Sequence, residues 1–326
     1  MKLAVFGNYG VRNLGDDLIL MGLREKYPQD TLTVFCGNPE QVRNQFGLES
    51  SHFFPGGLRT WRQYFFSAEA RKRSEESLRA LKQMDQIIIG GGGILVDRHI
   101  KAVVLWWFQL RTIKKSGIPY SFIGNSLELK SWWSRWLFKP FLKSARWISV
   151  RDQASHKLLN SMDIASELVD DLSSWAPLDL EPRKTQKLLA VALCRWGIGE
   201  RQASVLRQFM QQKQQEGFQI IGLAFQTVGD DDRQVLKELF PSVEITSELP
   251  DVLEVLRTCE ALIAMRYHAV LLGLRFHIPT IALSYQEKVA NLMSDRGLSD
   301  LCIPIQKIDG QSVQQLFLKA VEGGYK

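Results

Sequence analysis

Short apolar runs alternate with longer amphipathic stretches along this chain. KLAVF, TLTVFC, QIIIGGGG, IPYSFIG and RWISV succeed one another in the first half, with helical patterns between them. Apolar runs of this length separated by helix-period segments predict parallel βαβ units. The alternation stops at DLSSWAPLDLEPRKTQK, rich in proline and charge, and restarts with LLAVALC, FQIIGLAF, VEIT, ALIAM and IPTIALS. A domain boundary is therefore expected inside that stretch, dividing a Rossmann-like domain over 1–178 from a second over 179–326. The closing SVQQLFLKAVEGGYK reads as a terminal helix that crosses back onto the first domain. Two such α/β halves predict a cleft between them, with ligands beyond the carboxyl ends of the strands.

Composition narrows the function classes. With 326 residues, 45% of them hydrophobic, the chain can bury two cores. Its +6 charge, 41 basic against 35 acidic residues, is too small an excess to indicate nucleic acid and suits an anionic substrate or a membrane surface. Cys36, Cys194, Cys259 and Cys302 are widely spaced, so neither a zinc ribbon nor a disulfide framework is predicted, and no metal site is expected. MKLAVFGNYG opens a strand rather than a secretory signal, and no apolar run is long enough to span a bilayer. A cytoplasmic chain is expected.

The first strand hands over to a helix through FGNYGVRNLGDDLIL. Gly10 and Gly15 have P-loop spacing, but Asp16 and Asp17 replace the lysine and hydroxyl and would repel phosphate. A dinucleotide fingerprint fails as well, since there is no G-x-G-x-x-G and the second strand ends in FCGN without an acidic residue for a ribose. Two readings remain for the turn. Asn13 and Asp16 cap the helix against its dipole, or Asn13, Asp16 and Asp17 present amide and carboxylate groups to the hydroxyls of a sugar. A second cluster, QIIIGGGGILVDRH, places Gly90 to Gly93 at a strand end and Asp97 just beyond. It fits close packing of strand on helix or close approach of backbone to a ligand.

Together the two glycine signatures, G-x-x-x-x-x-N-x-G-D-D and G-G-G-G-x-x-x-D, resemble the N-terminal domain of the polysaccharide pyruvyl transferase family. SVRDQAS, LCRW and MRYHAVLLGLRFHIPTIALSYQEKV follow in the family's order, so the resemblance runs from residue 1 to about residue 297. Asp17 stands where the family commonly has glutamate, and Gln286-Glu287 where it commonly has Asp-Pro; both departures bear on acceptor contacts. The resemblance implies a two-domain fold similar to the GT-B glycosyltransferases. It also implies transfer of a pyruvyl group from phosphoenolpyruvate to a sugar, as a ketal, with release of phosphate. No cofactor is implied beyond that donor substrate.

Phosphoenolpyruvate is a small, multiply charged anion, and its site needs cations that fork onto carboxylate and phosphate. Arg151 follows WISV, Arg195 follows LLAVALC and Arg266 follows ALIAM, so three arginines are expected at strand ends. Arg266 also opens a helix, whose amides favour anions. His268 lies two residues on, before the small Ala269, and imidazole can carry a proton near neutral pH. On the family's pattern His268, Arg266 and Arg151 are the expected catalytic residues. Asn13, Asp16, Asp17, Gly92, Asp97, Arg195, Ser284 and Lys288 are expected to bind substrate.

LKSWWSRWLFKPFLKSARW carries five basic residues and no acid, interleaved with aromatics. On a helix, Arg135, Lys139 and Lys143 would form one stripe and Trp133, Trp136, Leu137 and Phe141 another. This fits two arrangements: a helix over 130–147 lying on an anionic membrane at its inner face, or an ordinary amphipathic helix packed on the sheet. The expected partners are thus phosphoenolpyruvate, a free or lipid-linked saccharide acceptor and, on the first arrangement, a membrane surface; nucleic acid is not expected. Two rivals stand beside the pyruvyltransferase: a GT-B glycosyltransferase using a nucleotide sugar, and a non-catalytic sugar-binding or membrane-associated scaffold.

Overall fold

Parallel strands hydrogen-bond on both edges and are covered on both faces, which is why they draw on runs of Ile, Val, Leu and Phe rather than on alternating patterns. The computed structural model describes residues 1–56, 58–179, 181 and 186–323. It forms two units, Met1–Val11 with Asp16–Pro177, and Arg12–Gly15 with Leu178–Lys326. The linker thus divides the chain at 177/178, while four residues near the N-terminus are counted with the second unit.

The first unit contains β1 (Lys2–Phe6), α1 (Leu14–Lys26, whose first two residues belong to the other unit), β2 (Thr31–Cys36), α2 (Pro39–Phe46), β3 (Glu49–His52), α3 (Leu58–Phe66) and α4 (Ala68–Leu81). It continues through β4 (Gln86–Val96), α5 (Ile100–Ser116), β5 (Tyr120–Glu128), α6 (Trp132–Leu142), β6 (Trp147–Val150), α7 (Gln153–Ser161) and β7 (Glu167–Leu168). Its all-parallel sheet has the order β3-β2-β1-β4-β5-β6-β7. Odd and even strand positions feed separate cores. Phe6, Phe35 and Phe122 pack with Leu81, Trp106, Phe138 and Leu159 of α4 to α7. Val5, Val34 and Ile88 pack with Ile19 and Leu23 of α1 and Val42 of α2.

The second unit contains β8 (Gln186–Ala192), α8 (Glu200–Gln215), β9 (Gln219–Leu223), α9 (Asp232–Leu239), β10 (Glu244–Thr246) and α10 (Leu249–Thr258). After these come β11 (Cys259–Ala264), α11 (Tyr267–Arg275), β12 (Thr280–Ser284), α12 (Glu287–Asp295), β13 (Cys302–Pro304) and α13 (Gly310–Gly323). Its sheet is again all parallel, in the order β10-β9-β8-β11-β12-β13. The final helix, expected to cross back, has its packing described within this unit: Phe317 lies edge-on to Phe209 and Phe218, and Lys319 pairs with Asp300.

In each sheet the strand order reverses once, between β1 and β4 and between β8 and β11. At such a switch point the loops leaving the two central strands diverge, and the space beyond their carboxyl ends is where open α/β sheets hold ligands.

Candidate functional site

In the second unit, four strands end in a cluster of polar groups. Cys194 follows β8, Gln226 follows β9, Arg266 follows β11 and Tyr285 follows β12. Asp232, at the start of α9, organises them. Its carboxylate lies 3.1 Å and 3.2 Å from Arg266 Nε and 2.5 Å from Nη2, and it accepts a bond from the Gln226 backbone N–H at 3.0 Å. The Arg266 and Asp232 side chains are 13% and 1% exposed, so the guanidinium is presented in a fixed orientation. Burial works against the Arg266 charge, but Asp232 overrides it and holds the guanidinium protonated. Burial likewise raises the Asp232 carboxyl, against the pull of Arg266. The Cys194 thiol is pushed up to about 11 by burial and Tyr285 to about 12 by burial and the neighbouring Cys194, each opposed by Arg266. Both remain neutral hydrogen-bonding groups at physiological pH.

Residues 12–15 complete this cluster. Asn13 pairs with Gln226 in an antiparallel bridge, Leu14 N–H donates to the Phe225 carbonyl at 2.8 Å, and Thr227 N–H donates to Arg12 O at 3.2 Å. Asn13 Oδ1 accepts from Gly15 N–H at 3.0 Å, the capping geometry expected of an asparagine before a helix. Gly15 has a steric reason to be glycine. A Cβ there would lie 1.9 Å from His268 Nδ1, so the imidazole rests directly against the Gly15 backbone. The ring also meets Tyr267 edge-on, with centroids 5.2 Å apart. His268 is half-buried in the first turn of α11, just after Arg266, where the positive end of the helix dipole favours anions.

The first unit has its own cluster at its switch point. Gly91 and Gly92 lie in the left-handed region, at φ +66° and +73°. A side chain on Gly91 would meet Ile19 of α1 at 2.0 Å, and one on Gly92 would meet Asp16 Oδ1 at 3.3 Å. Tyr9 donates to the Gly90 carbonyl at 2.7 Å. Burial, with Asp16 and Asp171 close by, pushes its phenol well above the ordinary value. Arg151 pairs with Asp171 and donates from Nε to Ser126 Oγ at 2.7 Å; both side chains of the ion pair are 2% exposed. Asn125, in register with Gly92 and Val150, is wholly buried, and neither atom of its amide has a partner.

The expected site residues therefore separate. Asn13, Arg266 and His268 come together in the second unit; in the first, Asp16 lies by Tyr9 and Gly92, and Arg151 is held by Asp171. Arg195 is half exposed and paired with Glu238. Asp17 is 3% exposed and accepts from Gln45 at 2.9 Å, tying α1 to α2. Asp97 accepts from Ser131 N–H and Ser134 Oγ, both at 2.7 Å, and so secures the start of α6; although burial opposes it, these bonds hold its carboxyl below the usual range. Ser284 is buried and bonds Cys302 on β13, while Lys288 lies in the first turn of α12 after Tyr285. Sequence reading passed over Tyr9, Asn125, Asp171, Asp232 and Tyr285. It also passed over Arg12, an exposed cation held at φ +51° beside Asn13. Of these, Tyr9, Arg12 and Tyr285 lie inside the quoted motifs; the aspartates carry no local signal. Among the described residues, no three His, Cys, Asp or Glu side chains converge as a metal-binding group.

A family model for polysaccharide pyruvyl transferase matches residues 13–287. Among solved structures, the chain is similar to a putative UDP-N-acetylglucosamine 2-epimerase from Listeria monocytogenes, with TM-score 0.65, 11% identity, and 98% of this chain and 88% of that one covered. The UDP-GlcNAc 2-epimerase from Methanocaldococcus jannaschii gives TM-score 0.59 at 11% identity, covering 99% and 92%. The spinosyn rhamnosyltransferase SpnG gives 0.52 at 12%, covering 99% and 91%. The two parallel-sheet α/β domains are thus those of the GT-B glycosyltransferases and epimerases.

Proposed function

Because the chain belongs to the polysaccharide pyruvyl transferase family, we propose that it transfers the pyruvyl group of phosphoenolpyruvate to hydroxyls of a saccharide. That saccharide is a cell-surface polysaccharide or its lipid-linked precursor, and the enzyme acts from the cytoplasm. The observation that carries the reading is the seating of His268 against Gly15, from the N-terminal signature, and against Tyr267, beside Arg266. In this reading Arg266, aligned by Asp232, forks onto the phosphate or carboxylate of the donor, helped by the dipole of α11. Lys288, Ser284 and Arg195 of the same unit are secondary contacts, while Arg151, 2% exposed and paired with Asp171, belongs to the first unit's own cluster. Asn13, Asp16, Asp17, Gly92 and Asp97 are the acceptor-side assignments; of these Asn13, Asp16 and Asp97 are part-exposed, whereas Asp17 and Gly92 are buried.

The chemistry requires one mobile proton. His268 as imidazolium gives its proton to the methylene carbon, and the double-bond electrons form the new C–H bond, leaving the central carbon electrophilic. An acceptor hydroxyl oxygen bonds to that carbon and returns a proton to the imidazole. A second hydroxyl then displaces phosphate, whose leaving is eased by the arginine, and its proton departs with the phosphate. The products are the cyclic ketal and inorganic phosphate.

The test is phosphate release from phosphoenolpyruvate with a panel of amino-sugar and hexose acceptors, free and lipid-linked, each product being weighed for a pyruvyl gain. The reading expects release coupled to that gain, and expects His268→Gln to lower kcat while donor binding persists. The likeness to enzymes named for UDP-sugars favours one second reading, a glycosyltransferase. Silence with phosphoenolpyruvate, together with binding of a nucleotide sugar, would establish that reading instead.

A further inference from the structure

Helix α6 meets its packing needs with one face and leaves the other unexplained. Ser134, Phe138, Phe141 and Leu142 are buried, and Trp133 and Leu137 pack against the same core. Trp136, expected from the sequence to join that apolar stripe, instead points outward with Trp132, one turn away; they are 73% and 80% exposed. Two indoles side by side in water are unfavourable for a face that only needs to be wetted. The neighbouring helices continue this character. Phe65 and Phe66 at the end of α3 are 62% and 86% exposed, and Ile100 at the start of α5 is 61% exposed. These helices form one layer: α5 and α6 share a core on one face of the sheet, and α3 packs outside α5 through Trp61 on Phe108, with centroids 5.5 Å apart.

Charge distinguishes this layer from the rest of the chain. Basic residues outnumber acidic ones only 41 to 35 overall, yet α3, α5 and α6 contain no aspartate or glutamate. Lys101, Arg111, Lys114 and Lys115 lie on α5, and Arg135 and Lys139 on α6, followed by the exposed Lys143. Although Lys139 pairs with Asp163 at 3.9 Å, exposed indoles flanked by this excess of cations match the headgroup boundary of an anionic bilayer, where the ring is half wet and the ammonium meets phosphate. We propose that the α3–α5–α6 layer docks on an anionic lipid surface, with Trp132 and Trp136 entering the headgroup–acyl boundary. Among the described residues no helix is long and apolar enough to cross a membrane, so the attachment proposed is a surface one. It does not rest on the pyruvyl-transfer reading.

The full chain should co-sediment with vesicles of phosphatidylcholine containing phosphatidylglycerol, but not with phosphatidylcholine alone, and should be released by about 0.5 M salt. Trp132→Ala/Trp136→Ala should weaken that partition about tenfold or more, and Lys115→Glu/Lys143→Glu, both exposed lysines, should weaken it at low salt. Because these side chains point outward, both variants should melt like the unsubstituted protein. Turnover on a free acceptor should also be unchanged, which separates failure of docking from failure of the catalytic reading. No sedimentation with anionic vesicles at low salt would overturn the proposal, and so would undiminished binding by the tryptophan variant. Tighter binding to a single-stranded oligonucleotide than to vesicles, lost in the same variant, would overturn it in favour of nucleic acid.

Discussion

Replacing Gly15 by alanine adds one methyl group where the structure has an imidazole. The new Cβ would lie 1.9 Å from His268 Nδ1, whereas ordinary contact begins near 3.4 Å, so the ring must retreat by about 1.5 Å. Gly15 does not lie in the left-handed region, so alanine takes its backbone conformation without strain and the perturbation is steric. What must move is a side-chain ring rather than backbone. The ring can swing aside, and the stability loss should stay within about 1–3 kcal/mol. Proton transfer is far less forgiving, because a displacement of about 1 Å in a reacting group costs on the order of a hundredfold. Gly15→Ala should therefore lower kcat about a hundredfold or more. KM for phosphoenolpyruvate should change little, since Asp232 still aligns Arg266. The assay is steady-state phosphate release with a pyruvyl-accepting sugar, run beside thermal melting. In a His268→Gln background the same substitution should cost almost nothing further, because its effect passes through the ring. A Gly15→Ala protein with normal melting and kcat within about twofold of the parent would refute the reasoning.

Three further outcomes follow from the geometry. Arg266→Ala should raise KM for phosphoenolpyruvate and also lower the melting temperature, because it strands the buried Asp232 carboxylate at about 3–5 kcal/mol; adding Asp232→Asn should restore much of the stability and none of the affinity. Asn125→Leu, which keeps the branched side-chain shape, removes a buried amide without partners and should leave stability unchanged or raise it by about 1–3 kcal/mol in denaturant melts. Asp97→Ala should cost about 0.5–2 kcal/mol as a lost cap. The folded-state pKa of Asp97 is depressed, so its contribution is complete above the ordinary aspartate range and disappears as pH falls through the folded value. Acid melts of parent and variant should accordingly converge at low pH.

The central strands were legible because each is a run of apolar residues ended by glycine or a polar turn, and all ten named from the sequence are present. Of the four edge strands only β10, inside VEIT, was named, and the other three were not legible. ESSH in β3, Glu167–Leu168 and Cys302–Pro304 are short and pair on one side, so burial imposes little pattern on them. Arg266 and His268 were legible as a strand-end motif. Their surroundings were not, because Asp232 and Gly15 reach them from distant sequence positions and nothing local marks an aspartate as an arginine's partner. The same limit applies to Arg151 and Asp171. For α6 the sequence showed an amphipathic helix, but Trp136 could be placed only once the core had chosen Phe138 and Phe141.

The short stretch Arg12–Gly15 is counted with the second unit although the chain on either side of it belongs to the first. Heredity therefore does not deliver this site in one contiguous block. A chimaera that borrows everything after residue 177 from a relative inherits His268 but not the glycine it leans on. An exchange at that point therefore preserves this contact only where the parent supplying the first 177 residues also carries glycine at position 15, since a side chain there meets the ring of His268.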